Sequence, residues 1–117
     1  MLGNKLLNIL IKKKITFFSG VPDSVLSDFI KLIEKKRGLK HVISSNEGTA
    51  VSTAIGHYLA TKKIPCVYLQ NSGLGNAINP LISIAHEKVY SIPLILIIGW
   101  RGAPGIKDEP QHKVKGN

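Results

Sequence analysis

Four short apolar runs, over residues 15–19, 39–43, 64–69 and 93–99, are separated by gaps long enough to hold a helix. Strands joined that way return parallel, because a tight turn would make them antiparallel. The spacing therefore predicts an α/β chain: a parallel, Rossmann-like sheet with helices on both faces. The first helix is expected over 4–14, where Leu6, Leu7, Leu10 and Ile11 recur at helical spacing. A second follows Gly20-Val21-Pro22, capped by Asp23 or Ser24. Its inner face is Val25, Leu26, Phe29, Ile30, Leu32 and Ile33, and Lys35-Lys36-Arg37 and Gly38 close it. The third, 50–60, is rich in Ala, Ser, Thr and Gly, and the fourth, 74–86, should kink or restart at Pro80. Residues 93–99 are apolar throughout, which predicts a strand covered on both faces. A long Gly- and Pro-containing segment follows Trp100, of a length that more often carries function than not. The chain stops inside polar sequence at Asn117, so it is expected to be the front part of a larger α/β domain.

Sixteen Lys and Arg against seven Asp and Glu give a net charge of +9 over 117 residues. Fourteen of the sixteen are lysines, many clustered where helices end and suit the helix dipole. No aromatic residues interleave with them to stack bases, so a solvated surface compatible with an anionic ligand is expected, and no nucleic-acid partner. No apolar run approaches the ~20 residues of a membrane span. Nor does a small-residue cleavage site follow Lys12, Lys13 and Lys14, which makes the cytoplasm the expected location. The lone Cys66, inside an apolar run, reads as a buried, inert thiol.

Three polar loops follow three of the runs: Gly20-Val21-Pro22-Asp23-Ser24, Ser44-Ser45-Asn46-Glu47-Gly48-Thr49-Ala50 and Gln70-Asn71-Ser72-Gly73-Leu74-Gly75-Asn76. In a parallel sheet all three emerge at one edge, where ligands of open α/β sheets bind. Gly73-Leu74-Gly75 occupies the place of a dinucleotide-binding turn, but Ile78 stands where the third glycine belongs and the acidic partner is missing. There is no phosphate-binding G-x-x-x-x-G-K-[ST] loop and no metal-spaced His/Cys cluster, so no metal ligands are assigned. Glu47 stands where a strand gives way to a helix. Such a carboxylate can be desolvated enough to hold a proton or share one with a ring nitrogen, or can simply favour the helix N-terminus. Spacing alone leaves both open.

Four segments taken together go further. Phe17-Phe18-Ser19-Gly20-Val21-Pro22-Asp23-Ser24, Asn46-Glu47-Gly48, Gln70-Asn71-Ser72-Gly73-Leu74-Gly75-Asn76-Ala77-Ile78-Asn79-Pro80 and the stretch from Trp100-Arg101-Gly102 to Lys107-Asp108-Glu109-Pro110-Gln111-His112 stand in one order at suitable separations. Together they resemble the phosphonopyruvate decarboxylase family of thiamine diphosphate (TPP) enzymes, over nearly the whole chain. The resemblance implies that residues 1–117 are the N-terminal part of a pyrimidine-binding domain. The Gly-Asp-Gly…Asn motif that holds diphosphate and Mg²⁺ in this family is absent, so that domain is expected on another chain of a homo-oligomer.

By the same resemblance, Glu47 matches the glutamate that hydrogen-bonds the aminopyrimidine nitrogen of TPP and favours the tautomer that takes the thiazolium proton. Asn71, Ser72, Gly73, Gly75 and Asn76 match a loop lying against the cofactor. Asp23 and Ser24 fall where related 2-keto acid decarboxylases place an acidic group near the substrate. His112 matches a histidine of the active-site loop, a proton donor or anion partner. Arg101, by a bidentate fork, and Lys107, as a point charge, could hold a phosphonate. The implied reaction converts 3-phosphonopyruvate, a small anionic 2-keto acid, to phosphonoacetaldehyde and CO₂; sulfopyruvate decarboxylase, whose pyrimidine domain can be a separate short chain, is the alternative. A non-catalytic α/β module is the other class left open. His41, His57 and His86 read as structural or exposed.

Overall fold

Alternate residues along the short apolar runs point to opposite faces, so each run can serve two cores at once. The computed structural model describes residues 2–114. Strands β1 (Phe17–Gly20), β2 (Lys40–Ile43), β3 (Cys66–Gln70) and β4 (Ile95–Gly99) form one sheet in the order β2-β1-β3-β4. Every pairing is parallel: Phe18 lies beside His41 on one side and Cys66 on the other, and Cys66 lies beside Ile95.

Helices α1 (Leu2–Lys12) and α2 (Ser27–Lys35) cover one face, while α3 (Glu47–Thr61) and α4 (Leu74–Pro80) cover the other. Phe18, Cys66 and Tyr68 pack with Leu7, Leu10, Phe29, Ile30 and Ile33. Phe17, Val67 and Leu69 pack with Ala50, Val51, Ala54, Ile55 and Ala77. Phe18 and Val51 are fully buried, each stabilising the fold by roughly 1.5–3 kcal/mol through the apolar area removed from water. The expected two-faced α/β architecture is therefore present.

Several boundaries differ from the periodic reading, each for a local reason. Helix α1 stops at Lys12, and Lys14 takes a left-handed φ of 62° as the chain turns toward β1. Neither Asp23 nor Ser24 caps α2, which starts at Ser27 with no side-chain cap. Asp23 Oδ1 instead accepts from Val25 N at 3.2 Å, closing a local turn ahead of the helix. Helix α3 begins at Glu47, earlier than expected, because Asn46 Oδ1 accepts from Thr49 N at 2.9 Å and caps it. Helix α4 ends at Pro80, as the proline predicts, and passes into a π-helical turn, Leu81–Ala85.

The larger correction concerns β4. It lies at the sheet edge, and Ile98 is 41% exposed instead of covered. Ile95 and Ile97 pack against one core and Leu94 and Leu96 against the other, all only partly buried. An unbroken apolar run does not distinguish a central strand from an edge strand whose flanks are half-covered.

Candidate active site

Parallel pairing brings the segments after all four strands to one edge of the sheet. Ser44 N donates to Gly20 O at 2.8 Å, carrying the β1–β2 ladder one residue on before the chain turns into the Asn46 cap. That turn sets Glu47 as the first residue of α3, half-buried and facing the loop after β3. Its Oε2 accepts from Asn76 Nδ2 at 2.8 Å. Its Oε1 lies so close to Gly73 that a Cβ there would stand 2.2 Å away, so only glycine admits the carboxylate. The helix starts themselves touch: a Cβ on Gly48 would be 2.7 Å from the carbonyl oxygen of Asn76.

Other residues of the β3 loop do different work. The Asn71 amide spans to the loop after β4, its Oδ1 accepting from Arg101 N at 3.0 Å and its Nδ2 donating to Arg101 O at 3.2 Å. Ser72 is exposed and its hydroxyl accepts from Gln70 Nε2. A Cβ at Gly75 would meet nothing within 4 Å, so no close approach demands glycine there.

The loops after β1 and β4 form a second cluster. Asp23 is 7% exposed, and its Oδ2 has no hydrogen-bond partner among the described residues. That oxygen lies over Gly99, whose missing side chain leaves the space: a Cβ would be 2.1 Å from it. Arg101 Nη1 donates to Ser24 Oγ at 2.6 Å, and Arg101 Nε donates to Asp108 Oδ2 at 2.8 Å. With Nη2 on Asp108 Oδ1 the pair is a bidentate fork. The fork edge of Arg101 thus faces Asp108. Its hydrogen bond holds the Asp108 carboxyl well below the usual carboxylate range, helped by the backbone N–H groups of Glu109 and Gly102. Arg101 is held more firmly protonated in return, chiefly by that hydrogen bond.

His112 lies in a 3₁₀ turn, Pro110–Lys113, half-buried, with Nδ1 buried and without a partner among the described residues. Its carbonyl seats on Gly102, where φ is +71° and a Cβ would be 1.7 Å away. Lys107 is exposed on the same loop. The structure therefore gathers Glu47, Gly73 and Asn76 in one cluster, and Asp23, Ser24 and Arg101 with the His112 loop in another, joined through Asn71. Ser72, Gly75 and Lys107 stand at the solvent side.

Asp108 is the residue that sequence reasoning passed over. Its signal was available: an acid seven positions after Arg101 with Gly102 and Gly105 between, glycines that here take φ of +71° and +79° and fold the loop back. The remaining histidines are structural or exposed, as expected. His41 Nε2 meets Tyr68 Oη at 2.7 Å, His57 stacks on Phe17 with centroids 4.2 Å apart, and His86 is exposed. Cys66 is fully buried, and burial pushes its thiol up to about 12. Among the described residues, no helix is long and apolar enough to cross a membrane, and no cluster of three or more His, Cys, Asp or Glu could hold a metal.

Comparison with known proteins shows the family of the chain. The chain is 41% identical over 102 residues to phosphonopyruvate decarboxylase of Streptomyces hygroscopicus, covering 87% of this chain and 25% of that protein. It is 38% identical over 95 residues to sulfopyruvate decarboxylase subunit alpha of Methanocaldococcus jannaschii, covering 81% of this chain and 54% of that subunit. Its fold superposes on benzoylformate decarboxylase from Polynucleobacter necessarius with a TM-score of 0.72 at 26% identity, over 85% of this chain and 18% of that one. The chain thus spans a quarter to about half of the curated relatives it matches. The model of the thiamine pyrophosphate enzyme, N-terminal TPP binding domain, matches residues 1–116, and the chain belongs to that family.

Proposed function

We propose that this chain supplies the pyrimidine-side half of the active site of a TPP-dependent decarboxylase, converting 3-phosphonopyruvate to phosphonoacetaldehyde and CO₂. The observation that carries the reading is the Glu47 carboxylate, held by Asn76 and lodged against Gly73 at the ligand-binding edge of the sheet. The residues present fit the pyrimidine end of the cofactor: a carboxylate with one oxygen positioned by an amide and the other beside a glycine that leaves room for close approach. Diphosphate and Mg²⁺ are assigned to a diphosphate-binding domain of another chain in a homo-oligomer.

When bound, TPP supplies an electron-accepting ring for the electrons that CO₂ leaves behind. The chain's own residues then divide the remaining tasks. The Glu47 carboxylate would hold the ring nitrogen by a hydrogen bond. The loop of Asn71, Ser72, Gly73, Gly75 and Asn76 would line the cofactor, with Gly73 and Asn76 nearest Glu47. Asp23, Ser24 and His112 would face the reacting end of the substrate, Asp23 Oδ2 and His112 Nδ1 being buried without partners among the described residues. Lys107 would supply a cation for the anionic tail; the Arg101 fork, expected to do the same, is taken by Asp108.

A second reading, the alpha-type subunit of a sulfopyruvate decarboxylase, rests on the 38% identity to such a subunit. The run Lys107-Asp108-Glu109-Pro110-Gln111-His112 leans toward the phosphonate. Glu47→Gln in the complete enzyme should nearly abolish turnover and leave the circular dichroism spectrum unchanged. An enzyme that keeps most of its kcat after that change sinks the proposal. Comparing 3-phosphonopyruvate with sulfopyruvate as substrates separates the two readings.

A further inference from the structure

One carboxylate organises the whole segment after β4. Asp108 accepts from Arg101 Nε, Arg101 Nη2, Gly102 N and Glu109 N. The first two bonds close residues 101–108 into a ring. The guanidinium so fixed reaches outward, Nη1 donating to Ser24 Oγ at 2.6 Å on the loop after β1. The Arg101 backbone is clasped on both its N–H and its C=O by the Asn71 amide from the loop after β3. Farther along, the His112 carbonyl seats on Gly102, which no side chain could replace without a collision at 1.7 Å.

We propose that Asp108 is a positioning residue: it locks Arg101 as a strut between the loops after β1, β3 and β4, so that the 101–112 segment stands as a preformed wall presenting Lys107 and His112 to the anionic substrate. For the substrate, this rests on the decarboxylase reading above. The chemistry singles out Asp108 over its neighbours. A carboxylate offers several lone pairs and no donor, so it satisfies a two-pronged guanidinium and two backbone N–H groups together. An amide at this position would turn donors toward donors. Arg101 cannot be exchanged for lysine either, because an ammonium has no planar fork to span Asp108 and Ser24 at once. The charge balance follows: Arg101 is compensated by Asp108, which leaves the exposed Lys107, one residue earlier, as the cation offered to solvent and substrate.

The test has one structural and one kinetic arm. Trypsin reads the loop directly, since Arg101 and Lys107 are both cleavage points and cutting follows the population of the open segment. Asp108→Asn is expected to raise cleavage after Arg101 and Lys107 about tenfold or more, the scale of one lost charge-assisted hydrogen bond, with thermal unfolding little changed. Arg101→Lys should open the loop to the same degree. A loop as resistant in Asp108→Asn as in the wild type overturns the strut, and so does full resistance in Arg101→Lys, which would mean that charge alone suffices. In the complete enzyme with 3-phosphonopyruvate, Asp108→Asn should raise KM about tenfold, with a smaller loss of kcat through the displaced His112. Loss of kcat with KM unchanged overturns the substrate-facing role. If the wild-type enzyme decarboxylates no 2-keto acid, the functional reading has failed, while the trypsin arm still decides the strut.

Discussion

Asn76 and Glu47 stand 29 positions apart in the chain, yet the Asn76 amide donates to the Glu47 carboxylate at 2.8 Å across the gap between the starts of α4 and α3. The bond fixes one oxygen and leaves the other against Gly73, so the carboxylate has a set direction before any ligand arrives. Preorganisation of this kind removes an ordering cost from binding. Asn76→Ala should therefore weaken cofactor binding by about tenfold, the scale of a hydrogen bond to a charged group, and isothermal titration of the complete enzyme would measure it. Asn76→Asp, which sets a second carboxylate beside the first, should be worse. Equal affinity in all three proteins would show that the amide contributes nothing.

The glycines of this edge are not equivalent, and alanine tells them apart. Gly73→Ala drives a methyl to within 2.2 Å of Glu47 Oε1 and should displace that side chain, with loss of activity outrunning loss of stability. Gly20→Ala brings a Cβ to 2.3 Å from the backbone oxygen of Tyr68 in the packed core and should destabilise by about 1–3 kcal/mol. Gly75→Ala meets open space and should stay within about 0.5 kcal/mol of wild type. Urea unfolding of the three variants gives the ranking, and a large loss in Gly75→Ala would contradict it.

Stability should fall as the solution is acidified below neutrality, in part because of His41. Burial lowers its pKa from 6.5, against a smaller opposing pull from Glu34. Tyr68, pushed up to about 12, chiefly by its own burial, keeps its proton and shares a hydrogen bond with the neutral imidazole, the donor set by the ring tautomer. Above pH 6.5 the ring is neutral in both folded and unfolded chains, and its contribution is complete. As pH drops through 6.5 the unfolded chain takes up the proton first, so folding is progressively disfavoured. His57, also shifted down, first by burial and then by Lys40 and Lys63, adds to the same slope. Denaturation midpoints measured from pH 7.5 to 5.5 should decline, and His41→Gln should flatten part of that decline. A slope unchanged in the variant would remove His41 from the explanation.

Cys66 offers a simple check on the packing. Fully buried and with its thiol held protonated, it should resist a thiol reagent in the native protein and react at once in concentrated urea. Rapid native labelling would mean that the β3 region opens far more readily than its surroundings imply.

Much of this was legible in residues alone because the signals were local. Alternating short runs and helical spacings gave the parallel sheet, and the common edge of the loops followed from it. Glu47 stood out because a lone acid opened a helix of small residues. What stayed hidden depended on contacts across the chain. The place of β4 at the rim is a matter of strand order, which an apolar run does not encode. Asp23 had the composition of a helix cap, but its side chain was drawn under Gly99 while the helix waited until Ser27. The clasp between Asn71 and Arg101 joins residues 30 positions apart, and no periodic pattern announces such a pair.

The two margins of the sheet have unequal tempers. Strand β2 is four residues long and carries Lys40 and His41, charge and polarity that discourage another backbone from aligning there. Strand β4 carries Ile-Leu-Ile-Ile-Gly with no such guard, and its outward row of amides and carbonyls is a template for any extended segment that reaches it. A concentrated solution of this polypeptide should accordingly grow assemblies seeded along that seam. A single lysine in place of Ile98, the outward and most solvent-facing of its isoleucines, would be the smallest change able to keep the molecules apart.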